Sequence, residues 1–137
     1  KSLNLLAPVL AKQFAYEQKA QEAWLVDDDG FITEGSSSNA WILKGNTVYT
    51  RPVSSSILNG ITRKTLMKGL GKYGYKFKEK KFNLKDIKKS KEAYITSATQ
   101  YVMPVTKIDN QKIGNGRVGK FAKHFKDIYL ESVQLSD

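Results

Sequence analysis

The sequence predicts an α+β domain in which a few helices pack against a curved, mainly antiparallel sheet with a barrel-like core. Short apolar runs recur along the chain, and turns of only a few residues separate most neighbouring runs. Such short connections favour antiparallel pairing, because a parallel pair needs a crossover of a dozen or more residues. Only a few stretches repeat their apolar residues at helical spacing, which indicates helices layered on one sheet.

One helix and four strands are predicted in the first half of the chain. The helix covers about residues 7–20, with Pro8 in its first turn and Leu6, Leu10 and Phe14 repeating at helical spacing. Acidic and glycine-containing turns then separate short apolar runs. These strands are predicted at residues 23–26, 31–33, 40–43 and 47–50.

The second half begins with a helix for which Thr62 is the predicted N-cap and Gly74 the predicted end. A lysine-rich strand from about residue 75 and a short helical turn at 84–89 follow. Two apolar strands are predicted at residues 93–96 and 102–108. The last helix carries Phe121, Phe125, Ile128 and Val133 on one face.

Length and composition indicate one ordinary globular domain. The 137 residues are enough to bury a core, and the 40% hydrophobic and 26% charged fractions are usual. The chain has no cysteine, which excludes disulfides and thiolate metal ligands. No apolar run approaches the roughly 20 residues of a membrane helix. We expect a cytoplasmic protein with no membrane partner, and the lack of cysteine is compatible with that location.

Basic residues outnumber acidic ones by 23 to 13, which gives a formal net charge of +10. Much of the excess lies between residues 76 and 91, where lysine dominates and arginine is scarce. Base-reading interfaces favour arginine, so we interpret this stretch as a solvated lysine-rich face. A basic nucleic-acid-binding module is the remote alternative from another class of function.

A glutamate stands in the run Glu-Gly-Ser-Ser-Ser-Asn at residues 34–39, where a strand gives way to a turn of small residues. Taken alone, Glu34 is an ordinary exposed turn residue. In a functional interpretation its carboxylate needs a positive partner in a pocket, and a protonated pyridine nitrogen is such a partner. The motif therefore suggests one part of a pyridoxal phosphate site.

Two further segments are suited to bind a phosphate. Gly60-Ile61-Thr62 precedes a predicted helix, whose first turn offers backbone N–H groups and the positive end of the helix dipole. Glycine also lets a backbone come close to a ligand. Ser97-Ala98-Thr99 is a second small, donor-rich turn. Each segment alone also fits simple helix capping or an ordinary strand end.

Other candidate chemistry is weak or excluded. With His124 as the only histidine and no cysteine, Cys–His triads cannot form within this chain, and we expect neither a zinc site nor a Ser–His triad. His124 itself is predicted to be a solvated surface residue. Residues 27–30 lack the ligand spacing of an EF-hand loop and predict a hairpin turn. Lys1 is a candidate amine nucleophile, for which an ordinary surface lysine is the alternative.

Three separated motifs make the sequence resemble a known family. Lys-Ser-Leu-Asn-Leu-Leu (1–6), Glu-Gly-Ser-Ser-Ser-Asn (34–39) and Ile-Leu-Asn-Gly-Ile-Thr-Arg (57–63) resemble the class IV, fold-type IV pyridoxal phosphate enzymes. Members include D-amino acid aminotransferase, branched-chain aminotransferase and aminodeoxychorismate lyase. The opening motif is most similar to that of the D-amino acid aminotransferases, and the resemblance spans nearly the whole chain.

The resemblance implies a role for each matching residue. Lys1 would form a Schiff base with pyridoxal 5′-phosphate and then move a proton between the substrate Cα and the cofactor C4′. Glu34 would face the pyridine nitrogen. The other implied positions contact the ring, its phosphate or the substrate carboxylate, or line the turn beside Glu34. They are Ser37, Ser38, Leu58, Gly60, Ile61, Thr62, Ser97, Ala98 and Thr99.

The resemblance also implies a missing part. The family's smaller N-terminal domain, which supplies an arginine for the phosphate and part of the substrate pocket, has no counterpart in residues 1–137. We therefore expect a single C-terminal cofactor-binding domain of a homodimeric D-amino acid aminotransferase. The expected reaction transfers an amino group between a D-amino acid and a 2-oxo acid. Branched-chain aminotransferase and aminodeoxychorismate lyase activities on the same scaffold are the alternatives.

Overall fold

The computed structural model describes the backbone of residues 2–52 and 60–136, and the side chains of residues 9–52, 60 and 62–133. Four helices lie in these ranges: α1 (Ser2–Glu17), α2 (Ile61–Lys72), α3 (Leu84–Lys88) and α4 (Lys120–Ser136). Nine strands accompany them. They are β1 (Trp24–Val26), β2 (Ile32–Gly35), β3 (Asn39–Lys44), β4 (Thr47–Thr50), β5 (Lys76–Glu79), β6 (Glu92–Ser97), β7 (Tyr101–Val105), β8 (Lys107–Ile108) and β9 (Gln111–Lys112).

The main sheet has five strands in the order β5-β4-β3-β6-β7. Its central strand β3 pairs antiparallel with β4 and with β6, and β6 pairs antiparallel with β7. The pairs β1–β2 and β8–β9 form two small sheets of their own. The α+β architecture and the predominance of antiparallel pairing are as the sequence predicts.

The main sheet differs from the expectation in two respects. β5 pairs parallel with β4, because α2 carries the chain back across the sheet between them. The described strands also do not close into a barrel, since β5 and β7 are the two edges of an open sheet. The sheet is therefore mixed and open rather than barrel-like.

Both faces of the sheet are buried at the central strands β3 and β6, which explains the unbroken apolar run of β3. Trp41 and Leu43 point to the face covered by α2 and α4, in a cluster that includes Leu70 and Phe125. The alternate residues of β3 pack on the opposite face. There the cluster contains Ile32, Ala40, Ile42, Phe82, Ile87, Ala93 and Ile113.

Helix α1 begins at Ser2, five residues earlier than predicted, and Pro8 lies inside it. A proline in a helix interior removes one backbone hydrogen bond, and the helix continues on both sides. It ends before the predicted residue 20, because Lys19 takes a left-handed conformation (φ 61°) and Ala20 donates its N–H to the carbonyl of Ala15. Leu10 and Phe14 are exposed on this helix, so the part of the predicted apolar face whose side chains are described is uncovered.

Helix α2 begins one residue before the predicted cap. Gly60 is its N-cap and Thr62 is already inside the first turn, so the prediction of Thr62 as N-cap was wrong. The predicted end is confirmed: Gly74 has φ 77°, and Tyr75 donates its N–H to the carbonyl of Leu70.

The predicted strand 102–108 is divided in two, because the chain leaves β7 after Val105 and pairs again as β8 with β9. The turn at residues 27–30 is confirmed, with the N–H groups of Asp29 and Phe31 both donating to the Asp27 carboxylate. Among the described residues, no helix is long and apolar enough to cross a membrane.

Candidate cofactor site

Two of the predicted site segments meet at one end of the main sheet. Asn39 at the start of β3 pairs with Thr96 near the end of β6. Because these strands are antiparallel, the turn that precedes β3 and the turn that follows β6 lie at the same end. The second turn holds Ser97, Ala98 and Thr99, and its Ser97 hydroxyl accepts a hydrogen bond from the Gln100 N–H (3.1 Å).

The start of α2 is held against the same end. A Cβ atom placed on Gly60 would lie only 2.8 Å from Oδ1 of Asn39. Glycine is therefore the residue that lets the helix start approach β3 this closely. Thr62, in the first turn of α2, is buried. The first turn of a helix has N–H groups without intrahelical partners, and its dipole favours an anion there.

Glu34 lies one residue before the turn that leads into β3. The Gly35 N–H donates to the Ser38 carbonyl (2.8 Å), so the chain reverses within residues 35–38 and returns directly to Asn39. The Glu34 side chain is half-buried. The segment with Glu34, the start of α2 and the Ser97–Thr99 turn thus lie around Asn39 and Thr96.

The three serines of this turn hold a different carboxylate. Hydroxyl groups of Ser37 (2.9 Å), Ser38 (2.9 Å) and Ser36 donate to Glu22, and so do the N–H groups of Ala23 (2.9 Å) and Ser37 (3.2 Å). Burial alone would raise the pKa of Glu22. The hydrogen bonds from Ser36, Ala23, Ser38 and Ser37 outweigh burial and lower this pKa from 4.5 to about 2. Glu22 is therefore ionised at neutral pH.

Helix α1 reaches the same turn through Lys12. Its ammonium group donates to the Gln21 carbonyl (2.9 Å) and lies 3.5 Å from both Glu22 Oε1 and Ser37 Oγ. An open groove of about 750 Å³ separates α1 from the β6–β7 turn, and Lys12, Gln21 and Gln100 are among the residues that line it. The helix that follows Lys1 in sequence thus lies beside the site end of the sheet.

The two ends of the loop between β4 and α2 are tied together by a buried arginine. Arg63 Nη2 donates to the Arg51 carbonyl and to Glu79 Oε1, both at 2.8 Å. Arg51 in turn binds Asp27 through an ion pair of 2.9 Å. These contacts hold the first turn of α2 beside the end of β4.

The side chains of three predicted site residues cannot be placed from the described parts of the structure. Lys1 and Leu58 lie outside the described residues, and the side chain of Ile61 is likewise not described. His124 is exposed as predicted, with a ring nitrogen 2.5 Å from the Tyr75 hydroxyl. Across residues 2–52 and 60–136, no group of three or more His, Cys, Asp or Glu side chains is placed to hold a metal ion.

Comparison with known proteins decides the family. The family described as Amino-transferase class IV matches residues 1–108 of the chain. The chain belongs to the class IV aminotransferases. The predicted family is therefore confirmed, and with it the predicted D-amino acid aminotransferase-like fold.

Relatives of this class IV chain are similar in sequence and in structure. A D-alanine aminotransferase of Bacillus licheniformis is 43% identical over 133 residues, which cover 97% of this chain and 47% of that protein. A branched-chain amino acid aminotransferase of T.th., solved with N-(5′-phosphopyridoxyl)-L-glutamate, superposes with a TM-score of 0.88 at 30% identity, over 93% of this chain and 43% of that one. An aminotransferase from Brucella abortus bound to PLP gives a TM-score of 0.82 at 25% identity, over 90% and 43%.

The class IV chain spans about half the length of the curated relatives it matches. Its described part contains two residues of the candidate site to which sequence reasoning gave no role, Glu22 and Asn39. Glu22 has no local signal, since it stands in an ordinary polar segment before β1. The only hint is the run of three serines, whose hydroxyl groups need an acceptor when they are turned inward.

Proposed function

We propose that this chain is the C-terminal, cofactor-binding domain of an aminotransferase. It would use pyridoxal 5′-phosphate to move an amino group between a D-amino acid and a 2-oxo acid. The observation that carries the proposal is the meeting of the Glu34 turn, the start of α2 and the Ser97–Thr99 turn at one sheet end. The D-alanine aminotransferase relatives, at up to 43% identity, favour D-amino acids.

The residues at the start of α2 fit a phosphate group. Gly60 has no side chain where the backbone approaches Asn39, and helix α2, which begins after it, supplies N–H groups and the positive end of its dipole. In the proposal the phosphate is bound by Gly60, Ile61 and Thr62, and by backbone or hydroxyl groups of Ser97, Ala98 and Thr99.

The turn with Glu34 fits the ring nitrogen of the cofactor, which lies at the other end of the molecule from the phosphate. A half-buried carboxylate stabilises a positive charge more strongly than an exposed one, since water screens it less. In the proposal Glu34 keeps the ring nitrogen protonated, and Leu58 packs on the ring. Ser37 and Ser38 line the same turn, where their hydroxyl groups donate to Glu22.

When bound, the cofactor withdraws electrons from the substrate and makes its Cα acidic. The chain would supply the groups that act on that atom. The amine of Lys1 would hold the cofactor covalently until the amine of the substrate displaces it, and the freed lysine amine would then carry the proton between the substrate Cα and the cofactor C4′. Glu34 would hold a proton on the ring nitrogen throughout, and the first turn of α2 would keep the phosphate fixed.

The whole protein would contain more than this chain. An N-terminal domain of the same protein would complete the substrate pocket, since the chain covers only 47% of its D-alanine aminotransferase relative. We also propose a homodimer in the cytoplasm, with small amino and 2-oxo acids rather than membranes or nucleic acids as its partners.

The decisive experiment replaces Lys1 with alanine in the whole protein. The wild-type protein is expected to bind pyridoxal phosphate and to show a visible absorption band, and Lys1→Ala should lose both that band and activity. Lys68→Ala, an exposed lysine of α2, is the matched control and should keep both. A visible band that persists in Lys1→Ala without added amine would refute the role of Lys1.

Branched-chain aminotransferase activity is the second candidate, because the T.th. structure that superposes with a TM-score of 0.88 bears that name. The two candidates differ in the handedness of the substrate. Transamination rates with D-alanine and with L-leucine on the whole protein separate them. A faster reaction with L-leucine would overturn the D-amino acid proposal and keep the pyridoxal phosphate mechanism.

A further inference from the structure

Glu22 is a carboxylate with hydrogen bonds on both of its oxygens. Its side chain is 10% exposed. Oε1 accepts from Ala23 N–H and Ser36 Oγ, while Oε2 accepts from Ser37 N–H, Ser37 Oγ and Ser38 Oγ. An ionised carboxylate is acceptor-only, so it suits a turn whose hydroxyl and N–H groups all point to one centre.

The chain is shaped to admit this carboxylate. A Cβ atom on Gly35 would lie 3.1 Å from Glu22 Oε2 and would collide with the Ser38 hydroxyl. Gly35 therefore leaves the space in which Glu22 and the serines meet. The contact spans 14 to 16 residues of sequence, from the segment before β1 to the turn after β2.

The same carboxylate joins a second element to the turn. Lys12 of α1 lies 3.5 Å from Glu22 Oε1 and from Ser37 Oγ. Helix α1 begins at Ser2, directly after the proposed cofactor lysine, and the turn begins directly after Glu34. Glu22 thus connects the element that follows Lys1 to the element that carries Glu34.

We propose that Glu22 is a positioning residue that holds the 35–38 turn and helix α1 together. In this way it fixes the Glu34 carboxylate relative to the cofactor ring and to Lys1. The inference rests on the proposed function. In this role Glu22 acts through the serine hydroxyl groups and Lys12.

The test compares Glu22→Gln with a matched control in the whole protein. Glutamine keeps the shape of the side chain but replaces one acceptor oxygen with an NH₂ donor, so at least one serine or backbone donor faces another donor. Glu17→Gln is the control, because Glu17 is an exposed glutamate of α1 that accepts a hydrogen bond from Gln13 (3.3 Å).

The first readout needs no cofactor. Amide hydrogen exchange in a peptide covering residues 34–39 should become about 10-fold faster in Glu22→Gln, since hydrogen bonds to a charged group are lost. Exchange in residues 61–72 should stay unchanged. Unchanged exchange at residues 34–39 overturns the proposal, whether or not the protein binds pyridoxal phosphate.

The second readout separates positioning from plain stabilisation. In Glu22→Gln we expect kcat to fall about 10- to 100-fold with KM changed much less, because the reacting groups are misplaced. The pH midpoint of the visible cofactor band should also move, since Glu34 no longer faces the ring nitrogen in the same way. A variant with faster exchange but wild-type kcat and midpoint would show a merely structural role and overturn the positioning role. A wild-type protein that binds no cofactor would refute the proposed function, and hydrogen exchange would still decide whether Glu22 holds the turn.

Discussion

Gly60 lies against Asn39, so that a Cβ on the glycine would come within 2.8 Å of the asparagine Oδ1. One residue is the N-cap of α2, and the other begins the central strand β3. This single approach brings the proposed phosphate-binding helix start to the turn that follows Glu34. The proposed site depends on it, because the two segments are separated by the β3–β4 hairpin in sequence.

We expect Gly60→Ala to weaken pyridoxal phosphate binding by the whole protein about 3- to 10-fold, because the helix start must move away from β3. Fluorescence titration of the apoprotein with pyridoxal phosphate measures the affinity. Gly71→Ala is the control, since a Cβ at Gly71 meets nothing within 4 Å. An equal affinity in both variants would mean that the phosphate does not depend on this approach.

Replacing Glu34 by glutamine should leave a protein that binds the cofactor but turns over about 100-fold more slowly, because the ring nitrogen loses its anionic partner. Absorption spectroscopy checks binding, and steady-state kinetics checks turnover. Glu131→Gln, an exposed glutamate of α4, serves as the control. Unchanged turnover in Glu34→Gln would remove this carboxylate from the mechanism.

Substitution of two glycines of α2 by alanine should change the stability of the fold in opposite directions. A Cβ on Gly69 would lie 2.5 Å from Ile128 Cγ2, where α2 packs on α4, so Gly69→Ala should destabilise the fold by about 1–3 kcal/mol. Gly71 has open space around it, and Gly71→Ala should stabilise the helix by up to about 1 kcal/mol. Urea unfolding of the two variants gives both values. Stabilisation by both substitutions would contradict the close α2–α4 contact.

The Glu22 carboxylate predicts a pH dependence of stability. Its pKa is lowered from 4.5 to about 2. The contribution of the ionised carboxylate to the free energy of unfolding is therefore fully present above pH 4.5 and is lost as the pH falls toward 2. The stability difference between wild type and Glu22→Gln should therefore shrink by up to about 3 kcal/mol between these pH values. Urea unfolding at a series of pH values measures it. A difference that stays constant down to pH 2 would show that the native carboxylate is not held in this way.

The ion pair of Arg63 and Glu79 should contribute more to the stability of the fold than an exposed ion pair does. Arg63 has 2% of its side chain exposed, whereas Glu79 is 42% exposed. We expect Glu79→Gln to destabilise the fold by about 1–2 kcal/mol, because a buried guanidinium loses its charged partner. Lys44→Met, which breaks the half-exposed pair with Asp86, should cost less than about 1 kcal/mol in the same unfolding assay. Equal losses of stability in the two variants would mean that the burial of Arg63 does not strengthen its ion pair with Glu79.

The local elements were well predicted where the sequence carries a strong signal. The apolar run at β3, the turn at residues 27–30 and the end of α2 at Gly74 all depend on neighbouring residues. Predictions that depend on distant contacts succeeded less well. The parallel β4–β5 pair and the break at Thr106 are decided by what packs against these segments, which no local pattern contains.

The order of the motifs, with Glu34 before a serine turn and Gly60 at a helix start, is a property of the sequence alone and was enough to predict the family. What only the tertiary structure decided is which groups meet. The three serines turn to Glu22, and Asn39 lies against Gly60. The physical reason is that hydrogen bonds and close packing depend on distances in space, and antiparallel pairing of β3 with β6 sets those distances between residues far apart along the chain.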